Sequence, residues 1–418
     1  MPERDDVAVA PAPDRGTQSG GAQSADPQAG PAFDFRPETY KDAELVGRLQ
    51  RRIAELAGEI GRPTKLMHIC GTHEHEIGRY ALRDLLPSSV EVLAGPGCPV
   101  CVCDNEYINM AIQLALTPGV ILASFGDMLA VPGSIPLKGE RRGDVRMSLL
   151  DARAQGGDVR AVYSVFDAAK LARENPDREV VFFSVGFETT VVAVAAMLKR
   201  GAPANLSIIE ANYYTPPATA ILPQLEGFDI EGFILPGHAA TITGLRVYEH
   251  LNELGIACAA GGFEPVDVLA SVASLLEQIR DGEPIVANPY QRLVKYDGNE
   301  RAKQELNEVF ELAPIRWRGI AEIPASGYKL REAYRSYSAA LRFADSLDEA
   351  ELAGAEHPKG CRCAEVTLGQ IRPDECGVFG KLCTPDAPYG PCMVSHEGTC
   401  RAWYVYGMHK ETLHVETA

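Results

Sequence analysis

The sequence predicts an α/β protein with two similar parallel-sheet domains and a third, loop-rich and helical domain that carries an iron–sulfur cluster. First, short apolar runs bounded by glycine or proline alternate with segments of helical periodicity, which is the pattern of βαβ units. Second, polar residues and cysteines gather where predicted strands end, as around a ligand cleft between α/β lobes. Third, regular periodicity fades beyond residue 289, while six of the 11 cysteines lie between residues 361 and 400.

The composition is that of a globular protein and excludes several classes of function. The 418 residues are 46% hydrophobic and 23% charged, which is enough apolar material for more than one domain. A net charge of −17 leaves no basic surface for nucleic acid. No apolar run approaches the roughly 20 residues that span a bilayer, and no basic-then-apolar export signal opens the chain. We therefore expect a cytoplasmic protein with reduced cysteines and with neither membrane nor nucleic-acid partners.

The N-terminal part of the chain has two sections. Residues 1–36 are rich in alanine, proline, glycine and serine and are predicted to be a disordered tail. Leu45, Leu49, Ile53 and Leu56 then recur at helical spacing. This apolar stripe predicts an amphipathic helix within residues 37–62, which we expect to pack with the third domain.

The predicted strands divide the next part of the chain between two domains. The first domain covers 63–155, with strands KLMHIC (65–70), VEVLAG (90–95) and VILASFG (120–126), and receives a return segment at about 256–288. The second covers 156–255, with strands AVYSV (161–165), EVVFFSVG (179–186), LSIIEAN (206–212) and GFILPG (232–237). Residues 289–418 form the third domain, in which polar helical segments precede a cysteine-rich ending.

Three cysteines are predicted to share one crevice of the first domain. Cys70 follows the first strand, and the C-P-V-C turn of Cys98 and Cys101 follows the second. A βαβ crossover makes these strands parallel, so their carboxyl ends lie at the same edge of the sheet. A C-x-x-C turn at a helix N-terminus should have a lowered thiol pKa, which suits thiol–disulfide exchange or soft-metal binding. The alternative is that small buried residues fill a tight turn, and Cys103 is open to both interpretations.

The residues after Cys70 combine groups that could support a metal or proton site. Thr72 can cap the following helix, and His73 and Glu74 lie in its first turn. His73 is a candidate proton shuttle or partner of a metal ligand, with a structural histidine as the alternative. The H-E-x-x-H spacing of zinc proteases is absent from this stretch.

The cysteine-rich ending should require a bound metal or disulfide bonds for its stability, because it contains few apolar residues. Its cysteines are Cys361, Cys363, Cys376, Cys383, Cys392 and Cys400. Four thiolates could hold zinc or an iron–sulfur cluster, but the paired C-x-x-C knuckles of zinc ribbons are absent. The spacing therefore favours a [4Fe–4S] cluster and leaves two cysteines for a redox-active pair.

Two further segments have both a structural and a functional interpretation. Glu188-Thr189-Thr190 opens a predicted helix and is either an acidic helix cap or part of a ligand cleft. His238 follows a strand that ends in Pro-Gly and is either a turn histidine or a cleft residue. Neither a phosphate-binding P-loop nor a G-x-G-x-x-G fingerprint occurs, so the sequence does not support a nucleotide site.

Five segments together resemble the HypD family of [NiFe]-hydrogenase maturation factors: CGTHE (70–74), GPGCPVC (95–101), GFETT (186–190), PGHAATITG (236–244) and the cysteine-rich ending. The resemblance covers about residues 40–410, with the motifs in the family's order. It implies two α/β domains and a third domain whose [4Fe–4S] cluster sits in a setting similar to that of ferredoxin–thioredoxin reductase. It also implies a scaffold that binds iron with the small chaperone HypC and assembles Fe(CN)2CO for the hydrogenase large subunit. Cyanide would come from HypE, acting with HypF. Such a protein is a metallocentre-assembly scaffold rather than a conventional turnover enzyme.

The resemblance also assigns roles to individual residues. Cys70 would bind the iron together with a HypC thiolate, and His73 and Glu74 would support that site. Cys98 and Cys101 would form a redox pair. The cluster ligands would be Cys361, Cys376, Cys383 and Cys400, and the extra thiol–disulfide pair would be Cys363 and Cys392. The residues lining the cleft would be Glu188, Thr189, Thr190 and His238.

Two departures from the family pattern fall at these sites. GPGCPVC is followed by Val102-Cys103-Asp104 instead of Val-Thr-Pro, which adds a thiol beside the redox pair. His238 is followed by two alanines instead of Val-Ser, which removes a hydroxyl. From the sequence, two other functions stay open: a stand-alone iron–sulfur protein-disulfide reductase and a zinc-stapled binding protein.

Overall fold

Two parallel β-sheets and an antiparallel hairpin organise the computed structural model, which describes residues 42–137, 145–353 and 360–407. The predicted tail at 1–36 lies outside the described residues. The strands are β1 Thr64–His68, β2 Val90–Ala94, β3 Val120–Ser124, β4 Asp158–Ala161, β5 Glu179–Gly186, β6 Leu206–Asn212, β7 Gly232–Pro236, β8 Ala257–Gly261, β9 Val286–Ala287, β10 Phe310–Trp317 and β11 Ala321–Leu330. The helices are α1 Ala43–Ile60, α2 Gly71–Arg79, α3 Pro99–Val102, α4 Asn105–Leu116, α5 Leu149–Ala154, α6 Val165–Glu174, α7 Glu188–Lys199, α8 Thr215–Ile221, α9 Gly237–Thr243, α10 His250–Glu253, α11 Pro265–Asp281, α12 Glu300–Val309, α13 Ala339–Arg342, α14 Glu349–Leu352, α15 Cys363–Thr367 and α16 Thr399–Tyr406.

Each of the two larger sheets is parallel throughout. The first has the strand order β2-β1-β7-β8-β9, and the second has the order β4-β3-β5-β6. Their central strands, such as β3, β5, β7 and β8, are apolar runs buried on both faces, as expected when helices cover both sides of a sheet. The predicted α/β class with parallel sheets is therefore confirmed.

Two strands belong to the opposite sheet from the one predicted. β3 was expected in the first domain but pairs with β4 and β5 in the second sheet. β7 was expected in the second domain but pairs with β1 and β8 in the first. The apolar pattern predicts a buried strand but does not indicate which strand it pairs with, because the same run of side chains fits either sheet. The chain therefore passes to the second sheet after β2 and returns after β6.

Helix α1 packs on the first sheet rather than on the cysteine-rich domain, so the predicted partner of this helix is wrong. Its buried stripe shares a core with α11, and Arg52 and Glu277 form an ion pair at 2.9 Å between the two helices. A second pair, Glu59 with Arg280, also measures 2.9 Å. The helix ends at Gly61 in the left-handed conformation, with φ of 67°. The stripe identified the buried face of α1 but not the surface that covers it.

Residues 310–330 form a hairpin where polar helical segments were predicted. β10 and β11 pair antiparallel, with an irregularity between Ala313 and Ile315. Trp317 is fully buried at the end of β10, and its indole donates to Ser326 Oγ at 2.9 Å. The hairpin tip docks on the segment after the C-P-V-C turn, where Arg318 N–H donates to Val102 O at 2.8 Å. Charged side chains on the exposed face obscured the alternation that identifies a strand.

The cysteine-rich ending packs against both sheets through apolar and polar contacts. The Trp403 indole on α16 donates to Glu74 Oε1 at 3.0 Å on α2. Ser395 Oγ donates to Asp127 Oδ2 at 3.0 Å, just after β3. Within the described ranges, no helix is both long and apolar enough to cross a bilayer.

Candidate functional site

Cys70 caps the start of α2, directly beside the loop that carries the C-P-V-C turn. β1 and β2 are adjacent and parallel, so the loops that follow them leave the same edge of the sheet. Gly71 N–H donates to Gly97 O at 2.8 Å, and a Cβ on Gly97 would overlap the backbone N and Cα of Cys70. A Cβ on Gly71 would lie 3.1 Å from Cys98 Cβ. The two loops therefore meet as the sequence predicts, and glycine allows their close approach.

The C-P-V-C turn forms a single short helix, α3, with Cys98 as its N-cap. Cys101 N–H donates to Cys98 Sγ at 3.3 Å, which holds the two thiols on one side of the turn. Both cysteines are buried. Cys103 lies one residue beyond α3 and forms an isolated bridge with Trp317. It is fully buried among aromatic side chains and belongs to the packing of the hairpin.

The thiols of the ending meet the thiols of the C-P-V-C turn in one buried group. Cys392 is its centre: its sulfur takes part in hydrogen bonds with the thiols of Cys101, Cys363 and Cys400. Cys400 N–H also donates to Cys392 Sγ at 3.3 Å. Residues more than 250 positions apart in the chain are thus brought into sulfur–sulfur contact. All described cysteines are free thiols in this structure.

Burial sets the pKa of most of these thiols, which contradicts the predicted lowering at the C-P-V-C turn. Burial raises the pKa of Cys70 to about 12, with a further contribution from Glu397. It also raises the pKa of Cys98 and Cys101. A four-residue helix provides little compensating dipole for a desolvated thiolate. Cys392 is the exception, because three thiol hydrogen bonds and the Cys400 N–H lower its pKa well below the usual value.

Gly390 lies beside two thiols of the ending, one of which, Cys361, is a predicted cluster ligand. Cys361 and Cys363 have their sulfurs 3.3 Å apart, and a Cβ on Gly390 would lie 2.6 Å from Cys363 Sγ and 2.9 Å from Cys361 Sγ. Cys383 Sγ accepts from Tyr389 N–H at 3.4 Å, and its pKa is raised by burial and by the nearby Cys363 and Cys361. The sulfur of Cys376 is 4.0 Å from Gly360 O.

This donor set fits an iron–sulfur cluster better than a single metal ion. Within 42–137, 145–353 and 360–407, no three His, Cys, Asp or Glu side chains are arranged to hold one ion. A four-iron cluster uses one thiolate for each iron, so its ligands lie farther apart than those of one ion. Backbone N–H groups directed at sulfur, and a glycine that leaves space beside two sulfurs, suit such a cluster.

Glu74 is the centre of a buried ion-pair network beneath Cys70. It contacts His68 Nε2 at 2.6 Å and Arg83 Nη2 at 2.7 Å, in addition to the Trp403 indole. Burial alone would raise the pKa of Glu74, but Arg83 and His68 hold it at about 2. Glu74 is therefore ionised near neutral pH and ties α2 to α16.

His73 is fully buried beside Phe263. Its Nε2 donates to Gly262 O at 3.0 Å, and its ring stacks on Phe263 with centroids 4.9 Å apart. Burial, with the neighbouring His68, lowers the pKa of His73 to about 3. The ring is thus neutral near pH 7, and its buried Nδ1 has no hydrogen-bond partner among the described residues.

The remaining predicted cleft residues are distributed over separate places. Glu188 is fully buried at the start of α7 and accepts from Thr215 N–H at 2.9 Å and Thr215 Oγ1 at 3.0 Å. Thr189 and Thr190 line a cavity of about 230 Å³. His238 is exposed and stacks on Phe263 with ring centroids 3.8 Å apart, and Phe263 is also the ring on which His73 stacks. No hydrogen bond or ring contact joins Glu188 to His238 in the described part of the chain.

Three residues near the thiols were missed by sequence reasoning. Glu397 Oε1 accepts from Thr72 Oγ1 at 2.7 Å, beside Cys70. Trp403 contacts Glu74, and Arg318 is buried next to the C-P-V-C turn. For Glu397 and Trp403 the only available signal was their position close to Cys400. Single polar residues that act across more than 300 positions leave no local pattern.

The fold and the site together define a parallel-sheet α/β protein with a buried multi-cysteine centre, and comparison with known families places this class among the hydrogenase formation proteins. The family described as "HypD: Hydrogenase formation hypA family" matches residues 44–407. The chain belongs to the HypD family. The resemblance inferred from the five sequence segments is thereby confirmed.

Curated relatives match over nearly their whole length. The chain is 40% identical to hydrogenase maturation factor HypD2 of Bradyrhizobium diazoefficiens, over 90% of this chain and 97% of the relative. It is 39% identical to HypD of Azotobacter vinelandii, over 90% of this chain and 98% of the relative. It is 38% identical to HypD of Cupriavidus necator, over 90% of this chain and 97% of the relative. The similarity thus covers both sheets and the cysteine-rich ending.

Proposed function

We propose that this protein is a cytoplasmic scaffold that binds iron at Cys70 and, with a HypC-type chaperone, assembles the Fe(CN)2CO unit of [NiFe]-hydrogenase. The observation that carries the proposal is the meeting of Cys70, the C-P-V-C turn and the ending's thiols in one buried region. Low-spin iron with cyanide and CO is a soft centre that thiolates bind well. One thiolate from this chain and one from the chaperone would hold it, with cyanide supplied by HypE and HypF.

Burial of Cys70 makes iron binding a proton-releasing step. The thiol, whose pKa is about 12, is protonated near neutral pH, and iron must displace that proton. The neutral ring of His73 and the carboxylate of Glu397 lie around the Cys70 loop. Glu74 holds α2 in place from below through Arg83 and His68. These residues orient the loop and exclude water around the sulfur.

The contacts of Cys392 support thiol–disulfide exchange between the two cysteine pairs. The exchange would begin from a disulfide between Cys98 and Cys101. The Cys392 thiolate contacts Cys101 and can attack it, forming a mixed disulfide and leaving Cys98 as the thiolate. Cys363 then displaces Cys101, so the disulfide has moved to Cys363–Cys392 and the first pair is reduced.

A [4Fe–4S] cluster held by Cys361, Cys376, Cys383 and Cys400 would supply single electrons beside this second pair. Cys400 contacts Cys392, and Cys361 contacts Cys363, so each member of the pair adjoins a proposed ligand. This adjacency also favours a second candidate function, a stand-alone iron–sulfur protein-disulfide reductase. That reductase would turn over a protein disulfide without any chaperone, whereas the scaffold forms a stable complex with its partner.

Infrared spectroscopy of the protein co-purified anaerobically with its small chaperone tests the scaffold. The wild type should have cyanide and CO stretching bands together with the broad visible absorption of an iron–sulfur cluster. The Cys70→Ala variant should lose the infrared bands and hydrogenase maturation but keep the visible absorption. The Cys258→Ala variant is the matched control, because Cys258 is a buried thiol within β8, and it should keep both signals.

Three outcomes would contradict parts of the proposal. Infrared bands that persist in the Cys70→Ala variant would refute the iron-ligand assignment. A colourless wild-type protein that contains zinc would favour a zinc-stapled binding protein. Disulfide turnover without the chaperone, and no infrared bands, would favour the reductase.

A further inference from the structure

Arg318 at the tip of the β10–β11 hairpin is a buried cation without a counter-ion. Its side chain lies inside the protein, with only 2% of the residue's surface exposed. Nη2 donates to Pro132 O at 3.4 Å, while Nε and Nη1 have no hydrogen-bond partner in the described part of the chain. No ion pair joins Arg318 to a carboxylate there. Burial of an unpaired charge is costly, so a group that balances it is expected nearby.

Arg318 lies beside the C-P-V-C turn, which carries cysteines. Its backbone N–H binds Val102 O, and the adjacent Trp317 bridges Cys103, which fixes the hairpin tip beside the C-P-V-C turn. Burial raises the pKa of Cys103, and Arg318 acts against that rise. Pro132, whose carbonyl accepts from Arg318 Nη2, lines a cavity of about 430 Å³ together with Tyr389, and Tyr389 N–H donates to Cys383 Sγ. The guanidinium therefore lies on the side of the molecule that holds Cys383, a proposed cluster ligand.

We propose that Arg318 is the counter-charge of the iron–sulfur cluster and raises the reduction potential of that cluster. The cluster belongs to the proposed function, on which this role of Arg318 rests. A [4Fe–4S] centre with four thiolates has a net negative charge, and one-electron reduction adds another. A fixed cation in a low-dielectric interior stabilises the reduced state more than the oxidised state.

The test is a redox titration of the full-length protein with its cluster, using dithionite and following the cluster by absorption and by paramagnetic resonance. The Arg318→Gln and Arg318→Met variants remove the charge and should shift the midpoint potential to more negative values. The Arg318→Lys variant keeps a charge at the same place and should remain close to the wild type. The Arg316→Gln variant removes an exposed charge from the same hairpin and should leave the potential unchanged, because solvent screens it.

A second measurement distinguishes a role of Arg318 as counter-charge from a role of its side chain in packing. Under a chelator, the neutral variants should lose their clusters several-fold faster than the wild type and Arg318→Lys. With the cluster removed, the neutral variants should be at least as resistant to denaturant as the wild type, since the unpaired charge is then gone. A packing role would instead weaken the cluster-free protein in both neutral variants and in Arg318→Lys.

If the neutral variants do not fold, the Arg318→Lys variant still tests the inference. Its midpoint potential should fall as rising pH removes the lysine proton, whereas the wild-type potential should not follow the same curve. An unchanged potential in the neutral variants, or a lysine variant that matches them, would overturn the inference while leaving the cluster in place. A wild-type protein without iron and sulfide would overturn the proposed cluster itself.

Discussion

At the scale of single residues, burial decides which form each reactive group takes. Cys70 is held as a thiol with a pKa of about 12 because water is excluded from it. Hydrogen bonds with three thiols and with the Cys400 N–H lower the pKa of Cys392 well below its usual value. One region therefore contains a thiol whose pKa is raised and a thiol whose pKa is lowered. In the proposed function, these environments give metal binding to Cys70 and disulfide exchange to Cys392.

Glu188 gives a pH-dependent stability that can be measured. Burial raises its pKa from 4.5 to about 7 despite two hydrogen bonds from Thr215. Between these values the folded protein binds a proton that the unfolded chain has released, so the free energy of unfolding falls as pH rises through this window. A shift of this size corresponds to about 3 kcal/mol. The Glu188→Gln variant should lose that decline and exceed the wild type in stability above about pH 7, as measured by denaturant unfolding at several pH values.

An exposed glutamate provides the control for this measurement. The Glu226→Gln variant makes the same change of charge on the surface and should follow the wild-type curve. A Glu188→Gln protein whose stability still declines between about pH 4.5 and pH 7 would show that another group is responsible.

The sequence predicted the reactive cysteines but not the residues that set their environments. Cysteines stand out because of their spacing, and the strand-end rule correctly placed Cys70 beside Cys98. Glu397, Trp403 and Arg318 act through the tertiary fold, and their own neighbours in the chain give no sign of it. The predicted lowering of the Cys98 and Cys101 pKa failed because desolvation outweighed the dipole of a short helix.

At the scale of elements, the site depends on how closely two loops approach. The loop after β1 and the loop after β2 touch backbone to backbone at Gly97, where no side chain could be accommodated. In the first sheet, the register that pairs His68 with Ala94 brings both loops to the same level. The element boundaries could be read from glycine and proline positions, whereas the sheet to which β3 and β7 belong could not. Strand pairing is decided by partners far away in the chain.

The Gly97→Ala variant should separate the two loops. Its new methyl group would overlap backbone atoms of Cys70, which cannot move aside as a side chain could. We expect a loss of about 1–3 kcal/mol in the free energy of unfolding and a loss of hydrogenase maturation. The measurements are denaturant unfolding and the rate of thiol labelling at Cys70.

The control for the Gly97 change is another strand-end glycine. Gly126 follows β3, has open space around its Cβ position and requires no left-handed conformation. The Gly126→Ala variant should be tolerated in both measurements. If the Gly97→Ala protein were equally stable and active, close contact between the loops would not be required.

Helix α1 should contribute to stability without influencing the thiols. Leu56 is fully buried in the core that α1 shares with α11, so the Leu56→Ala variant should lose about 2–5 kcal/mol of unfolding free energy. Labelling of Cys70, Cys98 and Cys101 in the folded protein should stay unchanged. The exposed Leu254 offers the matched control, since Leu254→Ala should cost little. Altered thiol labelling in Leu56→Ala would place α1 with the cysteine-rich part after all.

At the scale of the whole molecule, the cysteine-rich ending links the two sheets. It contacts the first sheet through Glu74–Trp403 and Thr72–Glu397, and the second through Asp127–Ser395. Its own regular structure is limited to short helices, and buried apolar residues such as Met393 pack into a core shared with the second sheet. A bound centre at its cysteines would therefore stabilise the ending and, through these contacts, the loop that carries Cys70.

Removal of the proposed cluster should loosen this link in a defined pattern. After treatment with chelator, hydrogen exchange should accelerate across residues 360–407 and in the first turn of α2, where Thr72 and Glu74 receive contacts from the ending. The central strand β8 lies in cores formed mainly by the first sheet and its helices and should keep its protection. Faster exchange confined to the ending would mean that Cys70 is positioned by the first sheet alone. Unchanged exchange everywhere would mean that the ending is stable without a metal centre, because its buried polar contacts suffice.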